Sequence, residues 1–391
     1  SQPYPGQQPY PGQPQPQYQV RQPQPYPQQP QPQYQVRQLY YPAPGPQQPG
    51  GYFVRPPRKK SPLRALVLAA VGVFVTAGFF ISLASFLSSN GDPVVRPTYN
   101  PASWTPAPDP DPDPDPDPTN PVPPGPDNPD VPEPDRNPPP LPMPETYTEA
   151  TQLIEDNPVY YQSVAAVDCG IDKIDASKAS KKELEAHLNE LTRCLWQVWN
   201  PPLTQAGFAL PRPPVTVYGS SVSTACGKAE DHNAVYCSGD QRIYYAQNLY
   251  ETFPKKLRAE PFVADTVIAH EFGHAIQART AILIAERAWE ERESTSEAKA
   301  NEYSRRTEMQ ADCLAGMFTS AVAVANNMSD GNLKTMSDLI YNTGDDVLNG
   351  KKDYSAGHGT GKARQRWFVA GQQSTQLGTC NTFTAESAQV R

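Results

Sequence analysis

Hydrophobic positions along the 391-residue chain follow two patterns, one unbroken apolar run near the start and helical periodicity much later. The run, Ala65 to Leu87, reads ALVLAAVGVFVTAGFFISLASFL and carries no charge in 23 residues. A helix needs about 20 apolar residues to cross the hydrocarbon core, so the pattern predicts one transmembrane helix within 63–88. A cleaved signal peptide fits less well, because 64 residues precede Ala65 and no small-x-small cleavage site follows. Arg55, Arg58, Lys59, Lys60 and Arg64 stand before the run, and the first charges after it are Asp92 and Arg96. This asymmetry places the N-terminus in the cytoplasm and the C-terminal part outside the cell membrane.

The later pattern has the period of a helix. KKELEAHLNELTRCLWQVW, residues 181–199, shows helical spacing with His187 reading as a surface residue. Pro261 suits a first helical turn, and Phe262, Val263, Thr266, Val267, Ala269 and Ile276 continue a helix to about Arg279. A further helix is expected to carry RTEMQADCLAGMF, residues 306–318.

Composition sharpens the division. Of 48 prolines, 18 precede residue 63, 22 lie between 93 and 144, and only 8 follow. Residues 1–62 form a Gln/Pro/Tyr-rich arm in which PQPQYQVRQ occurs at 14–22 and again at 30–38. Such sequence buries too little apolar surface to fold, so a disordered cytoplasmic arm is expected, able to serve as ligand for a cytoplasmic partner. Residues 89–146, with PDPDPDPDPDP at their centre, are expected to be an extended, disordered extracytoplasmic spacer. Folded structure is then confined to 147–391, ample for one domain.

The formal charge of −8 divides into +7 over 1–64, −9 over 88–145 and about −6 over the rest. The basic residues are few and adjoin the apolar run, which excludes a nucleic-acid footprint. All six cysteines lie beyond residue 168, and an even number in an exported segment suggests disulfides.

The predicted helix over 261–279 contains His270-Glu271-Phe272-Gly273-His274. Imidazoles four residues apart project from one helix face and can bind one Zn²⁺, and Glu271 on the adjoining flank can reach a water held by that ion. Catalytic zinc takes three protein ligands, and no third histidine follows at short spacing, since 275–280 reads AIQART. Two later carboxylates stand out, Glu302 and Glu308. Arg306 follows Glu302 by four residues and would oppose a metal. Asp312 follows Glu308 by four and could accept the free N–H of a ligating histidine. Glu308 is favoured.

Four blocks resemble one known family: ACGKAEDHNAVYCSGDQRIYY, HEFGHAIQ, TEMQADCLAGMF and GHGTGKARQRWFVAGQQSTQLGTCNTF. Over about residues 200–385, and in this order, they are similar to the bacterial neutral zinc metallopeptidases. The resemblance implies a mainly helical α+β, zincin-like domain outside the membrane. It implies His270, His274 and Glu308 as metal ligands and Glu271 as general base. A peptide or protein would be the substrate, attacked by water that Glu271 deprotonates. A further donor should stabilise the developing oxyanion, and His358 is the candidate, with Tyr236 and His232 behind it. The cysteines pair locally on this reading: Cys226 with Cys237, Cys169 with Cys194, and Cys313 with Cys380. Six cysteines allow fifteen connectivities, and Cys313 as a metal ligand is the alternative.

Two rivals differ in class. One is a catalytically degenerate zincin acting as an envelope binding or scaffolding module. In the other, the N-terminal arm recruits partners and the outer domain is a sensor.

Overall fold

The computed structural model describes residues 131–391. The arm, the apolar run and most of the spacer, with the expectations attached to them, lie outside the described residues. Among the described residues no helix is long and apolar enough to cross a membrane. Element order is α1 (Tyr147–Glu155), α2 (Lys181–Gln205), β1 (Val215–Tyr218), β2 (Ser221–Thr224), β3 (Gly227–Glu230), β4 (Ala234–Cys237), β5 (Arg242–Ala246), α3 (Val263–Arg279), α4 (Ile282–Arg292), α5 (Glu297–Ala323), α6 (Asp330–Tyr341), α7 (Asp345–Asn349) and α8 (Gly361–Gln372). The architecture is mainly helical α+β with a small sheet.

Local chemistry explains where the helices start. Ser180 Oγ accepts from Glu183 N and Glu183 Oε2 accepts from Ser180 N, a reciprocal cap that opens α2. Leu184, Leu188, Leu191, Leu195 and Trp199 then form its buried stripe. Burying each contributes roughly 1.5–3 kcal/mol, so this face fixes α2 against the sheet and α3. His187 is no surface residue. Its Nε2 lies 2.7 Å from Asp265 Oδ1 in the first turn of α3, and both side chains are nearly buried. Burial alone lowers the His187 pKa, but Asp265 outweighs it and raises it. Helix α3 itself begins two residues after Pro261, because Phe262 takes a left-handed backbone at φ 73°.

Helix α5 is the central element. It is buried almost continuously from Arg306 to Thr319 and packs on α3, α4, α6 and α8. In the three-stranded sheet β5 lies in the middle, parallel to β1 and antiparallel to β4. Strand β4 is thus an edge, and it packs against α3. Strands β2 and β3 form a separate hairpin.

The docked part of the chain reaches back well before residue 147. Arg212 Nη1 donates to Pro132 O at 3.0 Å, and Asp135 N donates to Arg212 O at 2.8 Å. Gln241 Nε2 and Arg279 Nη1 each donate to Pro139 O at 2.9 Å. Proline carbonyls are strong acceptors with no companion N–H to satisfy, so three side-chain donors suffice to dock this strap. Between strap and domain is a cavity of about 10 Å³, lined by Tyr236, Ala275 and Arg279 among others.

Three disulfides join Cys169 to Cys194, Cys226 to Cys237 and Cys313 to Cys380, with Cα separations of 5.5, 5.6 and 5.5 Å. These are the local pairs the resemblance implies. The first ties the loop before α2 to α2. The second ties the β2–β3 turn to β4. The third ties α5 to the C-terminal segment, which leaves Cys313 no role as a metal ligand.

Candidate metal centre

Helix α3 carries its motif on a buried length, and His270 and His274 project from one side of it with their Nε2 atoms 3.2 Å apart. Glu308 on α5 supplies the third corner. Its Oε2 is 3.3 Å from His270 Nε2 and its Oε1 3.4 Å from His274 Nε2. Glu302 lies elsewhere, held by Arg306 at 2.7 Å and by Ser387. Gly273 permits the close approach of the two helices. A Cβ there would lie 3.0 Å from Ala311 Cα, so α5 passes directly against the turn between the histidines.

What the three corners can do follows from how their other ends are held. His270 Nδ1 is 2.9 Å from Asp312 Oδ1, and His274 Nδ1 is 2.8 Å from Gln277 Oε1. Gln277 Nε2 donates to Thr307 O and to Gln310 Oε1, which fixes Oε1 as the acceptor facing His274. Both Nδ1 atoms are therefore donors, and both Nε2 atoms turn lone pairs toward Glu308. Two lone pairs and a carboxylate at 3.2–3.4 Å repel one another unless a proton or a metal cation lies between them. Ligands about 2.0–2.1 Å from a tetrahedral zinc ion stand about 3.3–3.4 Å apart, which matches these edges. The residues present fit zinc. Among the described residues, His270, His274 and Glu308 are the group of side chains able to hold a metal ion.

The electrostatics favour positive charge at the same place. Burial alone lowers the His270 pKa, but Asp312 and Glu308 outweigh it and raise it to about 10. Burial alone raises Glu308, yet His274, His270 and His358 hold it well below the carboxylate range. Asp312 is fully buried, which works to raise it, and Arg364 with His270 holds it down instead. Arg364, from α8, grips Asp312 with Nε at 2.7 Å and Nη2 at 2.9 Å, and donates from Nη1 to Thr343 O. Its Nη2 is also 3.5 Å from Glu308 Oε2. A cation beside the carboxylate therefore does not exclude a metal corner here, because Asp312 neutralises it.

Glu271 lies on the adjoining flank of α3, nearly buried. Its Oε2 accepts from Tyr236 N on edge strand β4 at 2.7 Å, leaving Oε1 without a protein partner among the described residues. His358 contributes, after His274 and His270, to holding the Glu308 carboxylate down, and its Nδ1 is 3.2 Å from Asp345 Oδ1. The other two donor candidates are elsewhere. The Tyr236 ring lines the small cavity under the strap. His232, on the turn before β4, lies 3.0 Å from Asp231 and 3.4 Å from Glu251.

Four contributors escape a reading of the sequence alone: Gln277, Arg364, Asp345 and the Tyr236 backbone N–H. Gln277 had a signal, since it follows His274 by three residues on one helix face. Arg364 and Asp345 had none, lying 52 and 33 residues beyond Asp312.

Comparison with known proteins agrees with this geometry. Residues 162–383, more than half of the chain, match the family described as "Putative neutral zinc metallopeptidase". The chain belongs to that family. It is 29% identical over 192 residues to the protein YpfJ of Escherichia coli (strain K12), covering 47% of this chain. It is 27% identical over 206 residues to Rv2575 of Mycobacterium tuberculosis (strain H37Rv), covering 48% of this chain. The matched stretch spans 66% of YpfJ, just under two thirds, and 67% of Rv2575. Each relative is named only as an uncharacterized protein. No solved structure matches the chain.

Proposed function

We propose that this member of the neutral zinc metallopeptidase family hydrolyses peptide bonds with zinc held by His270, His274 and Glu308, in a zincin-like site. The observation that carries the reading is the triangle of lone-pair atoms whose Nδ1 ends are tied to Asp312 and Gln277. When bound there, zinc supplies Lewis acidity and acidifies a coordinated water. Every other task falls to side chains. Glu271, with Oε1 free, accepts a proton from the attacking water and delivers it to the leaving amine. Tyr236 N–H holds the other oxygen and so aims the carboxylate. His358 faces the carbonyl oxygen as donor. Asp312 and Gln277 keep the imidazoles in the ligating tautomer.

The site works outside the cell membrane on this reading, with the chain anchored by residues 63–88. The positive flank before the apolar run and the three disulfides support that placement.

The test is zinc per chain together with peptide turnover, on the full-length protein and two variants. Glu308→Ala should lose stoichiometric zinc. Glu271→Gln should keep zinc while turnover falls roughly 10²–10⁴-fold. Unchanged turnover in Glu271→Gln removes the assigned base. Full zinc without turnover in the wild type favours the scaffold.

A further inference from the structure

The loop that presents His358 is built around one buried carboxylate. Asp345 is 5% exposed, and its Oδ2 accepts from Ala356 N at 2.7 Å, His358 N at 3.1 Å and Gly359 N at 2.9 Å. Its Oδ1 faces His358 Nδ1 at 3.2 Å, and its own N–H donates to Gly359 O at 2.8 Å. The other side of the loop is pinned to α5. Arg305 Nη1 donates to Ala356 O at 3.0 Å. Gly359 has φ 81°, and a Cβ there would come within 2.3 Å of Met309 Cε. Arg305 and Met309 bracket Glu308 on α5, so this docking holds the His358 loop to the α5 segment that carries Glu308.

Three backbone donors converge on Oδ2, and Oδ1 is left for the imidazole. An acceptor opposite Nδ1 requires that nitrogen to carry a proton. His358 Nε2 has no hydrogen-bond partner among the described residues, and the ring is only partly buried. With Nδ1–H committed to Asp345, Nε2 carries a proton only on the imidazolium. That is the form that donates to a developing oxyanion.

We propose that Asp345 is a positioning residue that, by holding His358 Nδ1, aims His358 Nε2 at the reacting carbonyl oxygen. This rests on the peptidase reading. Asp345 touches neither the substrate nor the metal corners; it acts through His358. The step adds no proton transfer to the balance, because His358 donates a hydrogen bond and keeps its proton.

Asp345→Asn separates this role from loop support. The amide oxygen can still accept from the backbone N–H groups, while the amide nitrogen turned toward His358 reverses the tautomer. The experiment compares wild type, Asp345→Asn, His358→Ala and the double variant in the zinc-loaded full-length protein. Asp345→Asn is expected to lower kcat with KM and zinc content unchanged, by less than the roughly 10²-fold expected of His358→Ala, because the variant ring still offers an Nε2–H. In the His358→Ala background it should cost less than about threefold, because its effect passes through the ring. ¹⁵N-histidine NMR of the neutral ring should show the proton on Nδ1 in wild type and on Nε2 in Asp345→Asn. Losses that add in full, or an unchanged kcat in Asp345→Asn, overturn the assignment. If the wild type itself turns over no peptide, the peptidase reading falls and NMR decides for Asp345. A proton on Nδ1 upholds its hold on His358, and one on Nε2 overturns it.

Discussion

The candidate metal centre and the loop that carries His358 are built by different means. At the centre, ligands and supports come from two crossed helices. His270, His274 and Gln277 share one face of α3, and Glu308 and Asp312 share one face of α5. Gln277 on α3 answers His274 and Asp312 on α5 answers His270, and both helices are held by core packing. The loop has no such frame. His358 depends on Asp345, thirteen residues earlier, and on a left-handed Gly359 wedged against Met309. Helical spacing writes one half of the site, and tertiary folding writes the other. Arg364 joins the halves by gripping Asp312 while holding Thr343 O, two residues before Asp345.

Breaking that joint should have the largest effect. Arg364→Gln leaves Asp312 a buried carboxylate with its cation removed, and losing one partner of a buried pair costs roughly 3–5 kcal/mol. Thermal unfolding followed by circular dichroism should show a marked drop in Tm. A Tm within a degree of wild type would show that Arg364 does not join the two halves.

The next test concerns a carboxylate outside both halves. Glu286 on α4 is fully buried, and neither of its oxygens has a hydrogen-bond partner among the described residues. Burial raises its pKa from 4.5 to about 8, though Arg287 Nε lies 3.7 Å from Oε2. Below about 4.5 it is neutral whether folded or unfolded. Between 4.5 and 8 the unfolded chain sheds the proton and the folded chain keeps it. Stability therefore declines as pH rises through that window and levels off above it. Glu286→Gln should remove this decline and stabilise the protein at pH 8 by a few kcal/mol, on the order of the linkage of such a shift. Parallel Tm–pH curves for wild type and variant would sink the claim.

The smallest effect is on the metal itself, read separately from any stability lost at the Arg364 joint. Asp312→Asn should weaken zinc binding roughly 10–100-fold by loosening His270, as measured by competition with a chelator. His358-dependent kcat at saturating zinc should change far less. A variant that loses kcat but not zinc affinity would place Asp312 with the loop instead.

These differences also explain what was legible in the sequence. His270, Glu271, His274, Glu308 and Asp312 could be read because four residues along a helix return to one face. The preference for Glu308 over Glu302 followed from the residues four positions on, and Arg306 does bind Glu302. Asp345 and Arg364 could not be read, because nothing local marks a carboxylate whose acceptor pattern is completed by a loop thirteen residues later. His187 looked solvated for want of knowing that Asp265 lies opposite. The strap was hidden by its composition. Proline-rich sequence reads as solvated spacer, and only the folded domain shows that Arg212, Gln241 and Arg279 gather its carbonyls. A chain shortened to begin at residue 147 would lose those contacts.

The bond between Cys313 and Cys380 closes a covalent ring across a sequence separation of 67. Asp345, His358 and Arg364 all lie inside that ring, whereas His270, Glu271, His274, Glu308 and Asp312 lie outside it. Closing a ring of this size removes chain entropy worth roughly 4 kcal/mol from the unfolded state. This one bond therefore acts on the half of the site that helical spacing does not encode. A reduced chain keeps its candidate metal triad on α3 and α5 and loses the tether that gathers the rest.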